Sequence, residues 1–143
     1  MLSPERARSV VEVVQQYLLT PYGLRSLAPS DPQYQGRYTG NSVSRDGAYH
    51  QGTVWPWLLG PFITAHIKVY GNGDVVRRQA AQWLAPLKDY VADVGLGQIA
   101  EIFDGTVPQY PHGCMAQAWS VAEIFRTLVE DIYGLVPMRY PSS

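Results

Sequence analysis

Apolar residues recur at helical spacing in four stretches of the chain. The first stretch follows Ser3, Pro4 and Glu5, which give a capping hydroxyl, a proline at the first helical position and an early acid. It ends at the Thr-Pro-Tyr-Gly run of residues 20–23, because the residue before a proline avoids the helical region. The pattern therefore predicts a first helix over residues 3–19.

Three more helices follow from the same pattern. Residues 53–70 are apolar almost all round, which is typical of a helix buried on most sides. Pro61 is expected to kink that helix or to tighten it locally. A third helix is predicted over residues 74–94, with its first aspartate as the cap and Gly95 as the stop. The last helix is predicted over residues 115–133.

The third and last helices each carry an apolar stripe that we expect to face a core. In the third helix the stripe consists of Val75, Ala80, Trp83, Leu84, Leu87, Tyr90 and Val91. In the last helix it consists of Trp119, Ala122, Ile124, Phe125, Leu128 and Ile132.

The segments between the helices are long, and none has the alternation of a strand. Residues 21–52 contain three prolines and five glycines without a sustained period, and their tyrosines favour an ordered connection over disorder. The pattern predicts one all-α domain over residues 1–143. Four helices bury the apolar stretch 54–63 only imperfectly, so we expect a further partner, either another copy or a longer polypeptide.

Composition narrows the possible partners. Eleven Lys and Arg against 12 Asp and Glu leave a net charge of −1, so there is no basic field for nucleic acid. One cysteine excludes an internal disulfide, and the absence of a signal peptide or long apolar run predicts a cytoplasmic protein without membrane contact. His50, His66 and His112 lie in separate segments, so neither a metal nor another cofactor is predicted.

Four blocks of sequence carry a resemblance to a known family. They are Leu-Thr-Pro-Tyr-Gly-Leu-Arg-Ser-Leu at 19–27, Gly-Ala-Tyr-His-Gln-Gly-Thr-Val-Trp-Pro-Trp at 47–57, Ala-Glu-Ile-Phe-Asp-Gly at 100–105 and Gly-Cys-Met-Ala-Gln-Ala-Trp-Ser at 113–120. In order and spacing they resemble the C-terminal end of the glycogen debranching enzyme family, over nearly the whole chain. The resemblance implies a partial (α/α)6 barrel, a toroid segment of about four helices with long irregular loops, completed by an N-terminal part or closed by self-association.

The resemblance also implies an activity, the inverting hydrolysis of α-1,6-linked glucose in an α-glucan or branched oligosaccharide. Inversion needs one carboxylic acid and one carboxylate base on opposite sides of the glycosidic bond. The family's base matches Glu101, whereas its acid comes from an earlier part of the barrel and matches no residue here. We therefore expect little or no turnover by the chain alone. The alternative is a noncatalytic carbohydrate-binding or assembly module derived from the family.

Two carboxylates stand in the loop between the third and last helices. Taken without the resemblance, Glu101 is either a reactive group or a structural acid, which is solvated in the loop or caps a nearby helix start. Asp104 precedes Gly105 and is expected to bond the backbone of its own turn, as Asx residues do.

A second constellation, His50 and Gln51, precedes the Trp-Pro-Trp run. An imidazole and an amide both donate and accept hydrogen bonds, as sugar hydroxyls require, although such a pair also serves as a helix cap. Together with the neighbouring Tyr49 they are predicted to contact the substrate. Either Trp55 or Trp57 is expected to offer a ring face to glucose while the other belongs to the core.

Arg25 and Tyr22 complete the predicted substrate contacts. The forked donors of Arg25 suit hydroxyls or a carboxylate to be oriented, and the alternative is a surface salt bridge.

Overall fold

The structure is a computed structural model and describes residues 2–135. Its first helix, α1, spans Pro4–Tyr17. The Ser3 hydroxyl accepts the Arg6 N–H at 3.4 Å, and Val11 faces the core. The helix predicted from the cap and the apolar spacing is confirmed to within two residues at its C-terminal end.

A five-stranded antiparallel sheet holds the middle of the chain together. Its strands, in spatial and chain order, are β1 (Leu19–Thr20), β2 (Gly23–Arg25), β3 (Val54–Trp55), β4 (Ile102–Phe103) and β5 (Pro111–His112). The prediction that the chain contains no strand is therefore wrong. Each strand has only two or three residues, too few to show alternation, and pairing between distant segments creates the sheet.

A short helix, α2, spans Ser42–Ala48 within the long segment expected to be irregular. Asn41 caps it by accepting the Ser44 N–H at 3.0 Å. Only Ala48 of this helix is buried, so the sequence has no apolar periodicity from which α2 could be predicted. The expected order of the segment is confirmed.

The predicted second helix is divided into three parts. Residues 54–55 form β3, Pro56–Leu58 form a 3₁₀ helix, and only then does α3 run over Leu59–Tyr70. Pro61 is consequently the third residue of α3, in the first turn, where a backbone N–H has no intrahelical partner. The prediction that Pro61 lies in the helix interior and kinks the helix is therefore wrong, and the tighter 3₁₀ turn lies before α3, at Pro56–Leu58.

Helix α4 spans Asp74–Asp93, close to the prediction. Gly73 is its N-cap, so Asp74 occupies the first helical position, where its charge still favours the positive end of the helix. The face is mostly as expected, since Ala80, Leu84, Leu87 and Tyr90 are buried. Val75 is the exception and is 72% exposed.

Helix α5 spans Ala118–Arg126 and continues as a π-helix over Thr127–Ile132. Ile124 is buried as predicted, but Trp119 is 49% and Phe125 68% exposed. The expectation that both aromatic side chains face inward is therefore wrong for this chain, which has no element covering that side of α5 among residues 2–135.

Most buried apolar residues lie between α1, α3, α4 and α5, and a smaller cluster lies where the sheet meets α4. Between α4 and the C-terminal helical segment an apolar groove of about 540 Å³ stays open, lined mainly by Leu84, Leu87, Val91, Ile124, Leu128 and Ile132. Within residues 2–135, no helix combines the length and the apolar character that a membrane span requires.

Candidate functional site

Glu101 directly precedes β4, whose two residues are fully buried. Its backbone N–H donates to the Cys114 carbonyl at 2.8 Å, which joins this position to the chain after β5. Its side chain is half-buried. Because the next residues are anchored in the sheet, the carboxylate stands on a rigid support rather than in a free loop.

Both oxygens of the Glu101 carboxylate accept hydrogen bonds. Oε1 accepts from the phenol of Tyr49, and Oε2 accepts the Cys114 N–H at 2.9 Å. Gly113 lies against the same group, since a Cβ placed there would stand 2.6 Å from Oε2. The carboxylate is therefore held by two other segments of the chain, one at Tyr49 and one at Gly113 and Cys114.

Tyr49 is the C-cap of α2 and is half-buried. Burial raises the pKa of its phenol, and the hydrogen bond to Glu101 and its charge raise it further. Tyr49 therefore remains protonated and acts as a donor at neutral pH. Its ring packs edge-on against His50 at 4.7 Å and against Trp55 at 4.8 Å between centroids.

His50 is exposed and lies parallel to the Trp55 ring, with centroids 5.2 Å apart and planes 9° apart. Trp55 is buried, and its indole N–H donates to the Thr53 hydroxyl at 3.1 Å. Trp55 is thus the core tryptophan of the Trp-Pro-Trp run. The pair of His50 and Gln51 caps no helix, because α3 begins at Leu59.

Gln51 is half-buried and is tied by its backbone. Its N–H donates to the Ala48 carbonyl at 3.0 Å, and its carbonyl accepts the Gln35 N–H at 2.6 Å. Trp57 is half-buried and, with Trp55 and the exposed Trp119, lines a shallow apolar cleft of about 370 Å³.

Tyr22 and Arg25 have structural contacts instead of joining this group. Tyr22 stacks on Phe103 with centroids 4.7 Å apart and meets the edge of Tyr90 at 6.0 Å. Arg25 donates through Nε to the Gly105 carbonyl at 2.9 Å. Their predicted contact with sugar stays a prediction, and Arg25 forms neither salt bridge nor carboxylate contact among residues 2–135.

Asp104 is 1% exposed and makes long-range contacts. Oδ2 accepts from Arg37 at 3.0 Å, Oδ1 accepts the Tyr38 N–H at 2.8 Å, and His112 Nε2 lies 3.1 Å from Oδ1. The predicted local Asx bond is therefore wrong. Arg37 also donates to the carbonyls of Val107 and Pro108 at 2.6 Å, so the pair of Arg37 and Asp104 connects two loops.

Comparison with known proteins places these residues in a family. The sequence profile described as amylo-alpha-1,6-glucosidase matches residues 1–126, which include Glu101, Tyr49 and the other residues of the candidate site. The chain belongs to the amylo-alpha-1,6-glucosidase family. The resemblance predicted from the four sequence blocks is confirmed.

A relative of this amylo-alpha-1,6-glucosidase family member is the glycogen debranching enzyme of Saccharomyces cerevisiae. The two are 38% identical over 68 residues, an alignment that covers 43% of this chain and 4% of the yeast protein. The chain thus matches a small part of a much longer relative.

In this family member the sequence predicts Glu101 and Tyr49 as candidate site residues, but it does not predict the contacts that Gly113, Cys114 and Arg37 make with the two carboxylates. Gly113 and Cys114 lie in the fourth sequence block and meet Glu101 through their backbone, so the chemistry of their side chains does not predict the contact. A group of three or more His, Cys, Asp or Glu side chains that suits a metal ion is absent from residues 2–135.

Proposed function

We propose that this chain supplies the general base, Glu101, of an inverting glucosidase that acts on α-1,6-linked glucose. The observation that carries the proposal is the fixed, half-exposed carboxylate of Glu101, held by the Tyr49 O–H and the Cys114 N–H. An inverting hydrolase needs one ionised carboxylate with a defined orientation to remove a proton from the attacking water.

The contacts of Glu101 suit the ionised form. Both partners are hydrogen-bond donors, and the phenol of Tyr49 stays protonated because its pKa is raised. An ionised carboxylate only accepts hydrogen bonds, so two donors stabilise its charged form. The remaining lone pairs of the two oxygens are free for a water molecule. This arrangement supports a base in preference to the solvated or capping acid, which is the other interpretation of Glu101.

Asp104 does not suit the second catalytic role. A general acid must reach the glycosidic oxygen, whereas Asp104 is buried and its oxygens accept from Arg37 and the Tyr38 backbone. We therefore place the acid in another part of the family's barrel. The chain alone is expected to leave an α-1,6-branched maltosaccharide almost unhydrolysed.

The same reasoning gives the proposed fold and partner. The open groove beside Leu84 and the exposed Trp119 and Phe125 on α5 support a segment of an (α/α)6 barrel that is completed by further helices. We place those helices in an N-terminal part of the catalytic domain, and a second copy of this chain is the alternative source.

His50 is the substrate contact that the geometry favours most. Its imidazole is exposed, and the parallel ring of Trp55 fixes its orientation beside Tyr49 and Glu101. A rigid donor and acceptor next to the base suits a glucose hydroxyl in an α-glucan or branched oligosaccharide.

A substrate that needs no acid tests the proposal on the chain itself. Fluoride leaves α-glucosyl fluoride without being protonated by an enzyme, while water must still be activated by the base. We expect fluoride release by the chain, and a loss of about 10²- to 10⁴-fold in Glu101→Gln. Glu12→Gln is the matched control, because Glu12 also accepts from a phenol, that of Tyr70, on another face. Equal rates for the chain and Glu101→Gln would contradict the proposal.

A noncatalytic carbohydrate-binding module is the second candidate. The apolar cleft of Trp55, Trp57 and Trp119 favours it, since indole faces stack on the CH side of sugar rings. Calorimetric binding of a branched maltosaccharide, with no fluoride release from α-glucosyl fluoride, would support this candidate over the first.

A further inference from the structure

Three segments meet at the Glu101 carboxylate. Tyr49 comes from the end of α2, Glu101 precedes β4, and Gly113 with Cys114 follows β5. Two of the contacts to the carboxylate are hydrogen bonds, and the third is a close approach that only a residue without a side chain allows.

The direction of the Tyr49 phenol is fixed by its surroundings. The Tyr49 carbonyl accepts from the Thr53 hydroxyl at 2.5 Å and from the Trp55 indole at 3.3 Å. Its ring packs edge-on against both rings of the stacked pair His50 and Trp55, and it tilts against Tyr38 with centroids 5.9 Å apart. A phenol held in this way has few rotamers, so its O–H defines where Oε1 of Glu101 lies.

Gly113 lies beside the other carboxylate oxygen of Glu101, Oε2. Its φ is +70°, and a Cβ there would lie 2.6 Å from Oε2 and 3.0 Å from the Cβ of Glu101. The turn at Gly113 also aims the Cys114 N–H at Oε2. Gly97 offers a comparison, because its φ is +86° but nothing lies within 4 Å of the corresponding position.

We propose that Tyr49 and Gly113 are positioning residues for the general base, with the Tyr49 O–H fixing one carboxylate oxygen and the bare Cα of Gly113 leaving room for the other. The inference rests on the proposed role of Glu101. It assigns Tyr49 a different task from the sugar contact predicted from the sequence, since the phenol's hydrogen is already donated to Glu101.

The two tasks have different kinetic signatures. A sugar-binding phenol contributes to ground-state binding, so its removal raises KM. A positioning phenol keeps the carboxylate lone pair aimed at water, so its removal lowers kcat with little change in KM.

The first arm of the test measures the contact without any catalysis. The chain is labelled with tyrosine carrying ¹³C at Cζ, and the Tyr49 signal is assigned by its loss in Tyr49→Phe. We expect its ¹³Cζ chemical shift at neutral pH to move in Glu101→Gln, which keeps shape and burial but replaces the charged acceptor of the phenol with a neutral one. The shift also moves in Gly113→Ala, which displaces Glu101, and stays unchanged in Gly97→Ala. An unchanged chemical shift in Glu101→Gln or in Gly113→Ala overturns the inference.

The second arm measures fluoride release from α-glucosyl fluoride. We expect Tyr49→Phe to lower kcat by about tenfold or more, the effect of one hydrogen bond to a charged group, with KM changed less than twofold. Tyr70→Phe, which removes the Tyr70–Glu12 bond of the same kind, leaves both constants unchanged. A raised KM with unchanged kcat in Tyr49→Phe overturns the positioning role.

The two arms separate this inference from the proposed function. If the Tyr49 chemical shift moves as expected but Glu101→Gln releases fluoride at the rate of the unchanged chain, Glu101 is held but is not the base. That result overturns the proposed function and the catalytic role of Tyr49 together. If Glu101→Gln abolishes release while Tyr49→Phe and Gly113→Ala do not affect it, the proposed function stands and only the positioning roles are overturned.

Discussion

Arg37 reaches across 67 residues of sequence to place its guanidinium 3.0 Å from the buried carboxylate of Asp104. A carboxylate that is 1% exposed requires partners of this kind, because burial without them is costly. The pair therefore fastens the segment before α2 to the loop between β4 and β5. Both segments flank the parts of the chain that hold Glu101.

Removing the cation from this pair should destabilise the fold. Arg37→Met leaves the Asp104 carboxylate with the Tyr38 N–H and His112 as its remaining partners, and we expect a loss of about 2 kcal/mol in the free energy of unfolding. Urea unfolding followed by circular dichroism measures it. Arg45→Met, on the exposed surface of α2, is the control and should change stability by less than about 0.5 kcal/mol. Equal effects of the two substitutions would contradict the role of Arg37.

His66 predicts the pH dependence of stability. It is 4% exposed among the rings of Phe62, Tyr70 and Trp83, and burial lowers its pKa from the ordinary value of 6.5. The folded state therefore binds this proton less readily than the unfolded state. The contribution of His66 to stability is complete above pH 6.5 and is lost as the pH falls below it, until the lowered pKa of the folded state is passed.

The measurement is the free energy of unfolding of the unchanged chain and of His66→Phe, in steps of about half a pH unit from pH 7.5 to pH 5. This range covers the pH at which the unfolded state takes up the His66 proton. We expect the slope below pH 6.5 to be smaller in His66→Phe. His50→Phe is the control, because His50 is exposed. A slope that is equal in His66→Phe and the unchanged chain would contradict this assignment.

The tryptophans predict opposite mutational effects. Trp55 is 7% exposed and packs against Tyr49 and His50, so Trp55→Ala should cost about 3 kcal/mol or more. Trp119 is 49% exposed, and Trp119→Ala should cost less than about 1 kcal/mol in this chain. Urea unfolding of both variants tests the arrangement. A cost for Trp119→Ala as large as that for Trp55→Ala would mean that α5 buries this side chain after all.

His50 predicts an effect on sugar binding with little effect on stability. We expect His50→Ala to weaken the binding of a branched maltosaccharide about tenfold in calorimetry, the contribution of roughly one good hydrogen bond. Gln33→Ala, at another exposed position, serves as the control. Unchanged binding in His50→Ala would remove His50 from the proposed site.

The sequence predicts the regular helices of this fold well and its sheet not at all. Helices α1 and α4 are long and periodic, and α1 has the predicted Ser3 cap, so their bounds follow closely from local signals. The strands β3 and β4 have two residues each and exist because Val54 pairs with Phe103, a contact that local pattern does not encode.

The sequence likewise predicts one part of the candidate site and not the other. Glu101 is identifiable because its block resembles a family motif, although nothing in its local sequence distinguishes it from a solvated acid. The partners of Asp104 and the bare Cα of Gly113 depend on which segments meet in three dimensions. Trp119 shows the converse error, since an apolar stripe predicts a buried face without saying which element covers it.

The anomer first released from α-glucosyl fluoride tests the central claim most directly. Proton NMR during the first turnovers distinguishes β-glucose from α-glucose before the two equilibrate. If Glu101 directs water to the face opposite the leaving fluoride, β-glucose forms first and disappears in Glu101→Gln. α-Glucose as the first product, or β-glucose formed equally fast by Glu101→Gln, would contradict the assignment of Glu101 as the base of an inverting glucosidase.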